Sequence, residues 1–192
     1  MADTVLTRQQ ILDATEDVLR RYGPAKATVA DVARALTVSP GSIYRHFPTK
    51  SALREAVAGD WLDRVHGGLK EIAALDTPAP ERLRQWLTTL FHSKKTHARD
   101  EPELFGIYTL LVTEHSEVGV AHVQDLVAQI RVIISSGIER GEFTGCDAGV
   151  AATAVFSATA QFHNPLHARE WSSPDIDRTF EAVTDLLLAG LR

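Results

Sequence analysis

The sequence predicts an all-α protein, and three observations carry that prediction. Apolar residues recur at three- and four-residue spacing in almost every segment. The segments open on Ser, Thr, Asp or Pro and close on Gly or Pro, as helices do. No stretch shows the apolar–polar alternation of a half-buried strand. The count comes to about nine helices.

Thr7 with Gln10 reads as a capping box, and Ile11, Thr15, Val18, Leu19 and Tyr22 then share one helical face until Gly23-Pro24 stops it. Thr28 with Asp31 repeats the signal for a short second helix that buries Val29, Val32, Ala33 and Leu36. Thr37-Val38 is the turn into a third helix, capped by Ser39 with Pro40 at its first position and ended by Pro48. A long fourth helix follows, with Leu53, Val57, Trp61, Val65, Leu69 and Ile72 on one stripe, ending near Asp76-Thr77-Pro78. Helices are then predicted from Pro80 (Leu83, Trp86, Leu87, Leu90, Phe91), after Pro102 (Leu104, Phe105, Tyr108, Leu111) and from Glu117 to Arg140, with Gly141 as the stop. Asp147 caps a helix to about Phe162, broken at Asn164-Pro165; a ten-residue connector leads to a last helix opened by Ser173-Pro174.

The composition bounds the class. At 192 residues, 44% apolar and 23% charged, the chain is globular. No apolar run approaches the ~18–20 residues of a membrane span. MADTVLTRQQ lacks the features of a signal peptide, and the single Cys146 has no partner for an internal disulfide. A cytoplasmic location is the expectation. The net charge of −5 is unevenly spread: residues 1–50 hold seven Lys/Arg against five Asp/Glu, and residues 51–192 thirteen against twenty. Such asymmetry suits a localised nucleic-acid contact in an otherwise acidic protein.

SPGSIYRHFPTK, residues 39–50, gives that contact a chemistry. Two short helices joined by a tight turn, the second polar on its outer face, make a helix-turn-helix whose second helix fits a B-DNA major groove about 12 Å wide. Lys50 and the backbone N–H groups at the capped helix starts near Thr28 and Ser39 suit phosphates. Pro40, Gly41 and Ser42 are small enough for close approach to base edges, and Arg45 can bond a guanine bidentately. Ile43 and Phe47 point the other way, into the head.

TVADVARALTVSPGSIYRHFPTKSALREAV, residues 28–57, resembles the N-terminal DNA-binding domain of the TetR-type (tetracycline-repressor-like) transcriptional regulators, above all in its Tyr-Arg-His-Phe-x-x-Lys run. ISSGIERGEF, residues 134–143, and the Ala-rich helix after it resemble that family's ligand-binding domain. The resemblance implies a DNA-binding head at 1–50 and a helical effector-binding and dimerisation body at 51–192. It implies phosphate contacts from Thr28, Tyr44, His46 and Lys50, with Ser39 capping the helix whose Pro40, Gly41, Ser42 and Arg45 lie nearest the bases. It also implies double-stranded, palindromic DNA as partner and repression as the mode. One position departs from the pattern: Thr37 stands where the family usually has glycine, which is unfavourable if φ there is positive.

A reader with one short recognition helix needs a second copy, and residues ~147–163 and ~174–190 are the expected homodimer contact. Ala148, Ala151, Ala152, Ala154, Ala158 and Ala160 would allow close helix approach there. The family resemblance also implies a cavity for an unidentified small-molecule effector. Its candidate lining is Trp61, Trp86, Phe91, Phe105, Tyr108, His115, Phe156 and His163. His163, His167 and Glu170 share a spacing that could hold a metal, which leaves open a metal-responsive regulator or a helical metal-dependent hydrolase, against pocket, interface, surface or core roles for the histidines. His122 could approach the same region. No Gly-rich phosphate loop, His-Glu-x-x-His or Gly-x-Ser-x-Gly is present, and Cys146 sits beside an acidic residue that disfavours its thiolate. The reading is a regulator that requires no cofactor, not an enzyme.

Overall fold

A computed structural model describes residues 6–144 and 147–192; Cys146 lies outside the described residues. Ten α-helices and one 3-10 helix follow one another without a strand among those residues: α1 (Arg8–Tyr22), α2 (Val29–Ala35), α3 (Pro40–Tyr44), α4 (Lys50–Ala73), α5 (Ala79–Asp100), α6 (Pro102–Thr113), α7 (Glu117–Glu139), α8 (Ala148–Ala158), α9 (Ala160–His163), a 3-10 helix (Pro165–Ser172) and α10 (Ile176–Gly190). The helix expected over 147–163 is divided at Thr159, whose hydroxyl turns back onto the Val155 and Phe156 carbonyls. The segment expected as a plain connector winds into the 3-10 helix, opened by the Asn164 side chain accepting from the Leu166 N–H.

α1, α2 and α3 form the head. Thr7 and Thr28 each make a reciprocal capping box, with Gln10 and Asp31 respectively. Ile11, Val32, Ala33, Ile43 and Phe47 are all buried, so the recognition helix stands on an apolar base. Tyr22, expected on the inner face of α1, is exposed because the helix ends there.

α4 carries the chain from head to body. The boundary read at residue 50 is its first residue, and its Leu53 and Val57 lie beside Leu19 and Val32 of the head. Its buried face is wider than one stripe, taking in Leu62, His66 and Ala73 as well as Trp61 and Leu69.

In the body, α5 and α7 cross α4 and bring Trp86, Phe91, Ile130, Ile133 and Ile134 into one core. α7 is the one described helix whose length and composition would suit a membrane span, yet Leu126, Ile130, Ile133 and Ile134 are packed in the protein interior. Phe143, held by the turn after α7, lies against Gly137. α8 lies along α7, with Ala151 and Ala152 buried between them. Those two alanines therefore serve packing within the protomer. Val150, Thr153, Ala154, Ser157 and Ala158 face outward.

Candidate functional site

The recognition helix begins with local chemistry. The Ser39 hydroxyl accepts the Ser42 N–H and Pro40 occupies the first position, so a helix only five residues long starts cleanly. Thr37 before it has φ of 57°, in the left-handed region. The turn is not remodelled to spare the side chain. The Thr37 N–H donates to the Arg34 carbonyl and the Val38 N–H to the Ala33 carbonyl, a Schellman closure that normally takes glycine. Threonine here bears the left-handed strain, about 1–2 kcal/mol.

Ile43 is buried on the inner side of α3, while Pro40, Gly41, Tyr44 and Arg45 are exposed and Ser42 and His46 half-exposed. Arg45 lies along α3, donating to the Ser42 hydroxyl at 3.2 Å. Arg8 of α1 donates to the His46 carbonyl at 2.8 Å and lies over the Phe47 ring, which ties the end of α3 to the head. Thr28 is exposed at the start of α2, but its hydroxyl and its backbone N–H both donate to the Asp31 carboxylate, which also pairs with Arg34. Those bonds hold the Asp31 carboxyl below its usual range, the Thr28 hydroxyl first and Arg34 second. Lys50 is the exposed first residue of α4, capped by Thr49, a cap that sequence reading missed. The expected DNA contacts fall at the starts of α2 and α4 and along α3 and its C-terminal end.

A cleft of about 380 Å³ lies under this head, walled by Leu19, Val32, Leu53, Val57, Ile107 and Leu110, with Lys50 and Arg54 also lining it. Beside it, polar groups strap head to body. Arg20 of α1 donates to Glu101, between α5 and α6, at 3.3 Å, and Glu101 also accepts the Trp61 indole N–H. Glu16 of α1 is buried against Arg64 of α4 and Arg20. Burial raises the Glu16 carboxyl despite both arginines. Burial also pushes Glu101 up, but the Trp61 bond, His97 and Arg20 together bring it below the ordinary value.

Farther inside, the predicted effector residues fall into separate groups. Phe105 meets Trp61 and Tyr108 edge to face while Trp61 and Tyr108 are tilted, with centroids 5.8–6.5 Å apart. Phe91 instead packs with Phe162 and Phe180. Trp86 is a satisfied core residue, its indole donating to Gln129 at 2.9 Å. Phe156 and His163 stack at 4.2 Å, and the His163 Nε2 lies 3.0 Å from the Phe156 carbonyl. His115 does not join them. It is exposed with φ of 53°, because it closes α6 as the Ser116 N–H reaches the Leu111 carbonyl.

His163 ends α9 just before the 3-10 helix that holds His167, and it is buried. His167 pairs with Glu170 at 2.8 Å in the 3-10 helix, where Glu170 also accepts from Gln161. The three do not converge as ligands; no group of three metal-binding side chains occurs among the described residues.

Sequence reading missed Lys94 and His66 and named His122 only in passing. Lys94 of α5 is 1% exposed, with its amine 3.9 Å from the Tyr108 ring centre. The His66 and His122 rings stack at 4.9 Å, and His122 meets the Tyr108 ring at 5.7 Å. The signal was periodicity. Lys94 continues the Leu83-Leu87-Leu90 row of α5, and His66 lies between Leu62 and Leu69 on α4.

The tetR-family model of bacterial regulatory proteins matches residues 11–57, and the tetracyclin repressor-like C-terminal domain matches residues 79–184. The chain belongs to the TetR family of bacterial regulators. It is a DNA-binding transcriptional regulator. Among relatives, the HTH-type transcriptional regulator TtgR of Pseudomonas putida is 28% identical over 159 residues, covering 79% of this chain and 75% of that protein. The regulator BetI of Klebsiella pneumoniae is 36% identical over 81 residues, 41% of this chain and 42% of BetI. In fold, this TetR-family chain resembles the regulator FadR of Bacillus subtilis in complex with stearoyl-CoA, with TM-score 0.66 and 18% identity over 97% of this chain and 100% of that one. SmeT, the repressor of the Stenotrophomonas maltophilia efflux pump SmeDEF, gives TM-score 0.69 and 20% identity over 98% and 91%.

Proposed function

We propose that this TetR-family protein is a cytoplasmic, homodimeric repressor that grips a palindromic operator with two copies of α3 and releases it when a small organic effector enters the body. The observation that carries the reading is the capped α3, raised on Ile43 and Phe47, with Arg45 exposed and Lys50 at the start of the next helix. The outer face of α8, with Val150 70% exposed, and that of α10, with Leu186 73% exposed between Ala182 and Ala189, support a helix-on-helix contact between two copies. Two α3 helices so joined would read half-sites roughly 34–36 Å apart or a multiple of that.

Release would run through the strap. Trp61 touches Tyr108 inside and donates to Glu101, which holds Arg20 of the head. A ligand that moves α6 therefore alters the seat of α1 above the apolar cleft. Shifting the heads from mostly competent to mostly incompetent takes about 5.5 kcal/mol of preference for one arrangement. Neither a metal nor a catalytic step enters the proposal.

Sedimentation of Leu186→Glu against the unaltered protein tests it. The expected result is a dimer that becomes a monomer on substitution and loses operator affinity in step. A wild-type monomer that binds a single half-site at full affinity would reject the reading.

A further inference from the structure

The interior of the body holds a group of basic side chains with nothing to neutralise them. Lys94 of α5 and His122 of α7 reach the Tyr108 ring of α6, His66 of α4 lies against His122, and His163 of α9 comes near His122. Lys94 and His66 are 1% and 6% exposed. The Lys94 amine, both His66 ring nitrogens and the His122 Nε2 make no well-formed hydrogen bond among the described residues, the backbone of Leu62 giving His66 only a weak contact. Well over nine-tenths of buried polar groups in folded proteins are paired, so four such atoms in one place call for a reason.

The neighbouring acids do not supply one. Glu101 is engaged by Trp61, Arg20 and His97, and Asp125 by Lys70 and Gln129. The amine's position over Tyr108 has cation–π geometry, worth about 2 kcal/mol when desolvated. Burying an uncompensated ammonium costs several kcal/mol, which outweighs that gain and holds the amine's pKa well below its ordinary value. Burial likewise lowers His66, with Lys94 and His122 adding to it, and lowers His122 to about 2 and His163 to about 4. A carboxylate arriving among these groups would favour the charged amine and would accept charge-assisted hydrogen bonds. A metal cation would instead meet the Lys94 amine inside the imidazole set and no acidic ligand.

We propose that Lys94, His66 and His122 form the anion-holding end of the effector site, and that the effector is an organic acid whose apolar body lies along Trp61, Phe105 and Tyr108. The proposal rests on the reading of the chain as an effector-responsive regulator, and it names the chemistry of that effector. His163, whose Nε2–H donates to the Phe156 carbonyl, borders the site with that nitrogen already engaged. An acid bound here favours the charged amine, so binding draws protons onto Lys94.

The test is titration calorimetry on the full-length protein without DNA, using octanoate, phenylacetate and indole-3-acetate beside their primary amides, in two buffers of different ionisation enthalpy. The expected result is saturable binding of at least one acid with proton uptake, at least about tenfold tighter than its amide, as loss of a charged hydrogen bond implies. Lys94→Met and His66→Phe should each weaken the acid by about tenfold or more and the amide by much less. The proposal is overturned if no acid binds at millimolar concentration, if amide and acid bind alike, or if both variants keep the acid affinity. Operator binding is measured separately, so failure here with a selected palindrome in hand removes the organic acid and leaves the regulator. A chain that binds acids but no DNA would do the reverse.

Discussion

Lys94→Met is expected to stabilise the protein, and the size of the effect follows from the site. Methionine keeps the unbranched stem and removes an amine that is 1% exposed, lacks a hydrogen-bond partner and faces the Tyr108 ring. An unsatisfied buried polar group costs about 1–3 kcal/mol even when neutral. Burial also holds the folded pKa of the lysine well below 10.5, at a cost to wild-type stability. The sign follows from linkage: between the folded and unfolded values the unfolded chain binds one more proton, so wild-type stability rises with pH. The advantage of Lys94→Met should shrink as pH rises toward 10 from below, by at most about 1.4 kcal/mol per pH unit. Above about pH 10 Tyr108, raised by burial, begins to work in the opposite direction, so the useful window lies beneath it. Urea denaturation of both proteins at neutral pH, 8 and 9 reads the difference directly. A variant less stable than wild type by more than about 1 kcal/mol, or a difference that stays flat with pH, would refute an unpaired amine whose pKa burial lowers.

Other consequences follow from the same geometry. Thr37→Gly should stabilise by about 0.5–1 kcal/mol, since left-handed strain of about 1–2 kcal/mol is relieved against a smaller loss of backbone entropy; a destabilised glycine variant would mean that the threonine methyl packs usefully. Gly137→Ala should destabilise by about 1–2 kcal/mol despite better helix propensity, because its Cβ would fall 2.3 Å from the Phe143 ring and 2.8 Å from the Ala79 Cβ; a neutral result in thermal unfolding would show that Phe143 yields freely. His163, with burial lowering it to about 4, contributes stability that is complete above pH 6.5 and is lost as pH falls toward 4, about 3 kcal/mol in all. His163→Phe should remove that part of the acid slope in urea titrations, and an unchanged slope would place the proton elsewhere.

The head was legible in the sequence because its signals are local. Thr7, Thr28, Ser39 and Pro40 act within four residues of themselves, and the apolar spacing of Ile43 and Phe47 shows which face of α3 turns outward. Thr37 was readable as a strained position for the same reason. The interior was less legible because side chains of like chemistry part company in space. Phe91 and Trp61 belong to different aromatic clusters, and His115 was drawn out of the body by the closure of α6. The alanines of α8 look alike in sequence, yet α7 covers two of them and leaves Ala154 and Ala158 outside. Lys94 and His66 were hidden for a further reason. A charged residue in an apolar row is ordinarily taken as a snorkelling edge, and only the packing of α4, α6 and α7 around α5 closes that exit.

The measurement that tests the central claim most directly is selection of bound duplexes from a random pool at near-physiological salt, run with the wild type and with Arg45→Ala. The account predicts that the wild type enriches a palindrome with half-sites one helical turn, or a multiple, apart. It predicts that Arg45→Ala enriches the same palindrome with one position per half-site relaxed by about 1–3 kcal/mol of discrimination. No enrichment by the wild type, or an unchanged motif with Arg45→Ala, would contradict an α3 that reads bases through Arg45.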